Sequence, residues 1–318
     1  MMIFSRIQVS GLAILLFLTS LHLNAQNYPV ETVTLITHSS PGGGSDVFLR
    51  DLSKYLRPEL GVNIVIKNVS GGSGAAAIAE LATAPADGSV FYATTPTFIY
   101  TSLMSVPEYS YTDVDPLVNM FTDPEVIYTA ANSAYKTLAD VIAKARNDRG
   151  KWGAANPASL ERQALEQLKI KSGVNAAVVS HEGGGDLMIN VLNGTLDIGV
   201  GEVQELNSQL AAGKLRILAT FSDQRVSQLP DVPTVIESGF DVSVRKFRGF
   251  AAPKGLPAEV VTRWEKAIQK VLANPEYKAS YTRANLSADF INQANYRKFI
   301  ETFGNETGKF LRETGVIE

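Results

Sequence analysis

The string with the clearest chemical potential is Pro41-Gly42-Gly43-Gly44-Ser45-Asp46. It follows the β-rich run Val33-Thr34-Leu35-Ile36-Thr37 and precedes an apolar stripe at Val47, Phe48, Leu52, Tyr55 and Leu56. Three successive glycines let the backbone turn tightly and bring bare N–H groups against a ligand. Ser45 or Asp46 is placed to cap the helix that follows. A helix N-terminus carries about half a positive charge, so an anion there gains typically ~0.3–1 kcal/mol, and up to ~2 when partly buried. Ser70-Gly71-Gly72-Ser73-Gly74 repeats the design one βα unit later. Two such loops at neighbouring strand ends sit where open α/β sheets bind ligands.

Other chemistries fit these residues less well. Gly72-Ser73-Gly74-Ala75-Ala76-Ala77 matches G-x-G-x-x-A, yet a dinucleotide site needs an acid about 20 residues on, and Asp87 comes too early, in a turn. Gly71 to Ala75 approximates a nucleophile elbow around Ser73. A secreted serine hydrolase would then use His181 as its base, but no acid stands between them at a recognisable strand end. Ala212-Gly213-Lys214-Leu215 lacks the flanks of a P-loop and reads as a helix end. The Glu161-Arg162 and His181-Glu182 pairs read as surface or cleft groups. The chain has no Cys and only His22, His38 and His181 as imidazoles. That excludes thiolate catalysis, cysteine zinc sites, iron–sulfur clusters and disulfides, and no cofactor or metal is expected.

The elements that must position these loops alternate along the chain. Its 318 residues are about twice the ~150-residue prior for one domain, so two lobes are expected. Apolar residues make up 45% and the net charge is −3, a soluble balance that does not suit a nucleic-acid protein. Residues 1–25 read as a signal peptide: Arg6, a short apolar core over 11–18, and Leu23-Asn24-Ala25 before the cut. Its removal takes one Arg and no acid, moving the charge from −3 to −4. Strand-like runs at 33–37, 62–66 and 89–93 open the mature chain, and others follow near 126–129, 151–155, 177–179, 196–200 and 215–219. An extended segment is expected over 242–252. Helices are expected at 260–272, 275–283 and 296–312, without further strands. The alternation predicts α/β lobes with largely parallel sheets. The tail helices are expected to return to the first lobe and make it discontinuous.

In order and spacing these strings resemble the Bug, or TctC-type, solute receptors of tripartite tricarboxylate transporters. The resemblance rests on Tyr28-Pro29, Pro41 to Asp46, Ser70 to Ala75, Ala86-Asp87-Gly88, Ala212 to Arg216, Leu229-Pro230-Asp231-Val232-Pro233-Thr234 with Glu237 and Gly239, and Ala252-Pro253. It covers essentially all of 28–318. It implies a two-lobe periplasmic-binding-protein fold of type II-like form, each lobe a mostly parallel sheet flanked by helices. Lobe 1 would be 26–124 with 250–318, and lobe 2 125–249, with crossovers near 125–130 and 243–250.

The implied protein is a periplasmic monomer that captures a small organic carboxylate anion for the membrane subunits of such a transporter. A receptor presenting its ligand to a sensor kinase would share the same site. Carried over, the ligand contacts are Ser39, Ser40, Gly43, Gly44, Ser45, Asp46, Ser73 and Thr95 from lobe 1. Ala155, Asn156, Ser159, Arg162, Glu182, Gly183, Gly184 and Glu202 would come from lobe 2. This chain departs from the family pattern at His38 to Pro41, at Asn156 to Arg162, at His181-Glu182 and at Phe247-Arg248. Arg162, standing where the family has His, presents a planar fork suited to a carboxylate.

Overall fold

The computed structural model describes residues 28–318; the expected signal peptide lies outside the described residues. The first lobe opens with β1 (Thr32–Thr37), α1 (Gly44–Leu60), β2 (Asn63–Asn68), α2 (Ala75–Ala82), β3 (Val90–Thr94), α3 (Thr97–Ser105) and β4 (Val114–Asp123). The chain then crosses into β5 (Glu125–Ala130), α4 (Leu138–Asn147), β6 (Gly150–Ala155), α5 (Leu160–Ser172), β7 (Ala176–His181), α6 (Gly184–Leu192), β8 (Ile198–Glu202), α7 (Val203–Ala211) and β9 (Leu215–Thr220). It returns through β10 (Lys246–Pro253) and ends with α8 (Ala258–Ala273), α9 (Pro275–Arg283), β11 (Ser287–Ile291) and α10 (Gln293–Glu313).

Two sheets result, in strand orders β11-β4-β10-β3-β1-β2 and β7-β6-β8-β5-β9. The two-lobe α/β architecture is the expected one, but both sheets are mixed rather than mostly parallel. β1 pairs parallel with β2 and β3, and β6 with β7 and β8. The strands that carry the chain between lobes run the other way: β10 lies antiparallel to β3 and β4, and β5 antiparallel to β8 and β9. A crossing strand enters each sheet from the junction, opposite to strands that finish there. β11 corrects the expectation of an all-helical tail. It pairs antiparallel with β4, and its alternation is too short and too exposed to stand out beside three amphipathic helices.

Periodicity explains the packing. β1 carries fully buried Val33, Leu35 and Ile36, so both its faces are covered, as inner parallel strands require. Phe48, Leu49, Leu52, Leu56 and Leu60 form the buried face of α1, which ends at Gly61 in the left-handed region with φ 73°. Only a residue without Cβ adopts that cap at no steric cost. Val260, Trp264, Ala267, Ile268 and Val271 recur at helical spacing on α8 and join the same apolar cluster. The return of α8–α10 to the first sheet makes that lobe discontinuous in sequence. Pro124 alone separates β4 from β5. On the return, Lys246 to Gly249 already belong to the first sheet. Among the described residues, no helix is long and apolar enough to cross a membrane.

Gly249 sits mid-sheet on β10, next to a register shift. A Cβ there would collide with the Val118 carbonyl oxygen and the Tyr296 hydroxyl, the latter hydrogen-bonded to Thr94 Oγ1 at 3.0 Å. Gly249→Ala is therefore expected to lower stability by about 1–3 kcal/mol, the range of overpacked cores. Urea denaturation measures it, and an unchanged midpoint would show that the sheet yields without cost.

Candidate functional site

The crossovers place charge in the interior. β4 ends in Asp123 and β5 starts with Glu125, while β10 contributes Lys246 and Arg248, two residues apart and therefore on one face. All four side chains are buried. The Lys246 ammonium donates to Glu125, to Glu161 at 2.6 Å and to Glu202. Arg248 pairs with Asp123, reaches Glu202 Oε1 at 3.0 Å, donates to Ser45 Oγ at 3.0 Å and lies over the Phe48 ring. Among the described residues, Glu125, Glu161 and Glu202 alone have the spacing of a metal-ligand set; the Lys246 ammonium stands among them.

Above this cluster the lobes enclose a cavity of ≈ 20 Å³, about the space of one water molecule. Lobe 1 lines it with His38, Ser39, Gly44, Ser45, Thr95 and Thr97. Lobe 2 lines it with Ala155, Asn156, Glu161, Gly184, Val200, Gly201, Glu202 and Glu205, and Lys246 completes the wall. The N-termini of α1, α6 and α7 open onto it, supplying fixed positive ends. The Gly44 N–H donates to Glu205 Oε2 across the lobes at 3.0 Å. A Cβ on Gly184, first residue of α6, would strike the same Glu205 carboxylate. One internal carboxylate thus sits between the N-termini of two helices.

Burial sets the protonation states. It would lower the Lys246 ammonium, but Glu125, Glu161 and Glu202 outweigh it and hold the pKa well above its ordinary value. Burial pushes Glu202 upward, and Lys246 with Arg248 more than reverse this, leaving it below its usual range. Among the described residues Glu205 forms no ion pair, and Lys246 acts on it only from a distance. Burial, with Glu202 nearby, holds its carboxyl well above the usual range. Burial drives the His38 imidazole down to about 4, and its Nδ1 meets Tyr92 Oη at 2.6 Å. His38 is therefore neutral at pH 7.

Of the expected contacts, Ser39, Gly44, Ser45, Thr95, Ala155, Asn156, Gly184 and Glu202 line the cavity. The other expected contacts do not. Arg162 points away: its guanidinium donates to Ser180 Oγ at 2.7 Å and to the Val178 carbonyl, and pairs with Glu166. Its place in the first turn of α5 turns it along the helix surface toward β7. Asp46 neither caps α1 nor reaches the cavity; it accepts from Gly42 N at 2.9 Å, Arg50 and Asn68. The N-cap is Gly43, whose φ of −76° needs no glycine. Its missing Cβ instead leaves room for the Ser39 hydroxyl. Ser159 caps α5 by accepting the Arg162 N–H at 3.1 Å.

Ser73, at φ 56°, accepts the Ala158 N–H at 3.2 Å and joins the lobes; that hydroxyl is engaged with backbone. Ser40 Oγ packs against Gly183 on the seam, and Glu182 is exposed. Sequence reasoning missed Lys246 and Glu205 entirely, read Glu161 only as a surface or cleft group and marked His38 only as a departure from the family pattern. The available signal was the paired i, i+2 charges Asp123/Glu125 and Lys246/Arg248, one pair on each crossover.

Glu205 makes stability pH-dependent. Its folded-state pKa lies above the unfolded ~4.3, so the folded chain binds the proton more tightly, and stability falls as pH rises through that interval. Glu202, Glu161, Lys246 and Tyr128 face the same carboxyl. Glu205→Gln keeps an acceptor for Gly44 and removes the titration. Its stability relative to the parent should rise as pH climbs above the unfolded carboxyl's ~4.3, read by urea denaturation. A pH-independent difference would refute the assignment.

Comparison with known proteins agrees with the geometry. The family described as "TctC: Tripartite tricarboxylate transporter family receptor" matches residues 48–316. A "UPF0065 protein in gbd 5'region" of Cupriavidus necator is 25% identical over 92% of this chain and 89% of its own. The solved "Structure of periplasmic binding protein BugD" is similar at 24% identity and TM-score 0.84, covering 91% of this chain and 99% of that one. "R. palustris Rpa4515 with adipate" aligns at 23% identity and TM-score 0.86, over 91% and 98%. These structural likenesses establish the two-lobe fold. The matched family, with the enclosed interlobe cavity, leads to one conclusion: the chain belongs to the tripartite tricarboxylate transporter receptor family.

Proposed function

We propose that this receptor is exported to the periplasm with cleavage near Ala25, works as a monomer, and captures a small organic carboxylate for the membrane subunits of a tripartite transporter. One observation carries the carboxylate reading. The α1 N-terminus already binds a carboxylate oxygen through the Gly44 N–H, at 3.0 Å, inside the cavity where the lobes meet. Backbone donors at a helix N-terminus form a ready anion site. The adipate bound by the similar R. palustris protein is a ligand of the same chemical class. Residues 1–25 supply the export signal.

A thermal-shift screen of mono-, di- and tricarboxylates tests this reading. A true ligand at 100 times its Kd should add roughly 2.7 kcal/mol of stability. A response confined to neutral sugars would overturn it. Gly44→Val should abolish binding, because a Cβ there lies 2.6 Å from the Glu202 carboxylate. Arg162→Ala should leave Kd unchanged, since its guanidinium is spent on Ser180, Val178 and Glu166. A tenfold loss in calorimetry, about 1.4 kcal/mol, would put Arg162 back in the site.

A further inference from the structure

Glu205 belongs to α7 of the second lobe, yet its Oε2 accepts the Gly44 N–H at the start of α1 in the first, at 3.0 Å. The side chain is buried and lines the cavity between the lobes. Two further glycines make room for it. A Cβ on Gly184, at the start of α6, would collide with Glu205 Oε2, and one on Gly201 of β8 with Oε1. Neither glycine has a positive φ, so backbone conformation demands glycine at neither place. What excludes a side chain from both positions is the Glu205 carboxyl.

That carboxyl is held at one end only. Glu205 Oε1 is buried without a hydrogen-bond partner, and so is the Tyr128 hydroxyl, whose ring also borders Gly201. Glu205 therefore has an idle donor in its own lobe, while its hydrogen bond crosses to the other. The crossing bond occupies the α1 N-terminus, the seat assigned above to a ligand's carboxylate. The remaining cavity of ≈ 20 Å³ takes about one water, so an organic acid cannot reach Gly44 while Glu205 stays there.

We propose that Glu205 is an interlobe latch, a tethered carboxyl that holds the lobes together in the ligand's place and is displaced when a ligand binds. This deepens the receptor reading and rests on its carboxylate seat. On displacement the carboxyl turns back toward the Tyr128 hydroxyl. Glu202, Glu161, Lys246 and Tyr128 act on it from β8, α5, β10 and β5. His38 on the facing wall stays neutral above about 4, and α1 and α6 line the cavity with uncharged residues alone. Burial holds the seated carboxyl well above its usual range, whereas opening returns it to water and to ~4.3. Closure on the latch therefore takes up a proton, is favoured at low pH and weakens as pH rises through that interval.

The chain has no Cys, so spin labels on Val65→Cys and Ile189→Cys, both exposed and one in each lobe, report the interlobe separation of the full receptor. Measured in buffer free of organic acids, Glu205→Ala should lower the ratio of short to long separations about three- to tenfold, the scale of one lost hydrogen bond. Glu205→Gln keeps the acceptor for Gly44 and cannot ionise; as pH rises the parent should open and this variant should not. Acetate, the removed group as a free molecule, should close Glu205→Ala again, and chloride at equal ionic strength should not. Gly184→Ala expels the carboxyl by its Cβ and should open the receptor likewise, which keeps the test if Glu205→Ala does not fold. Variants as closed as the parent, or a Glu205→Ala that acetate leaves open, would overturn the latch. Any carboxylate that responds in the thermal-shift screen should bind Glu205→Ala more tightly than the parent; weaker binding would make Glu205 a ligand contact and overturn the latch as well. A screen without response would overturn the receptor reading alone, since the separations are read on the protein by itself.

Discussion

The Lys246 ammonium, enclosed by Glu125, Glu161 and Glu202, is the interaction on which the interlobe geometry depends. It joins β10, a strand of the first sheet, to β5, α5 and β8 of the second lobe. Each member is buried, so removing Lys246 would leave three acids facing one another without their cation, a loss of about 3–5 kcal/mol. Arg248 repeats the device one register step away, tying Asp123 and Glu202 to Ser45 on α1. The crossing strands are thus the place where both lobes' cleft walls are pinned. A buried ion cluster is weak evidence for net stability. Its value here is positional: it orients Glu202 and Glu161 toward the cavity.

The neutral part of the seam does different work. Tyr100, Leu160 and Leu311 form a small apolar cluster that draws on α3, α5 and α10. The Thr101 hydroxyl donates to the Ser73 carbonyl at 2.6 Å, and the Ser73 hydroxyl takes the Ala158 N–H. These contacts close the cleft mouth beside the charged floor. They are few compared with the clusters inside each lobe. Closure therefore depends on the polar contacts of the cavity, and a ligand that adds contacts on both walls shifts the balance toward the closed form. Glu205 occupies a ligand-like position in that balance, because it belongs to α7 of one lobe and is bound by α1 of the other.

The sequence by itself determined the local units. Pro41 to Asp46 and Ser70 to Gly74 could only be glycine turns between strand and helix, and the stripes of α1, α8 and α10 follow from side-chain spacing alone. The paired loops marked one wall of the cleft, and the family resemblance carried Ser39, Gly44, Ser45 and Thr95 over as contacts there; all four line the cavity. What the sequence could not express was partnership across long separations. Glu161, Glu202 and Lys246 are ordinary charged residues until the second crossover lays β10 against β4 and brings Lys246 beside Asp123 in register. Arg162 and Asp46 looked like ligand groups because their neighbours in sequence are cleft loops. The turn of α5 and the reach of Arg50 and Asn68 commit them elsewhere. β11 is stabilised by the edge of β4 rather than by its own alternation. Charge state and edge pairing are properties of surroundings, and surroundings exist only in the folded chain.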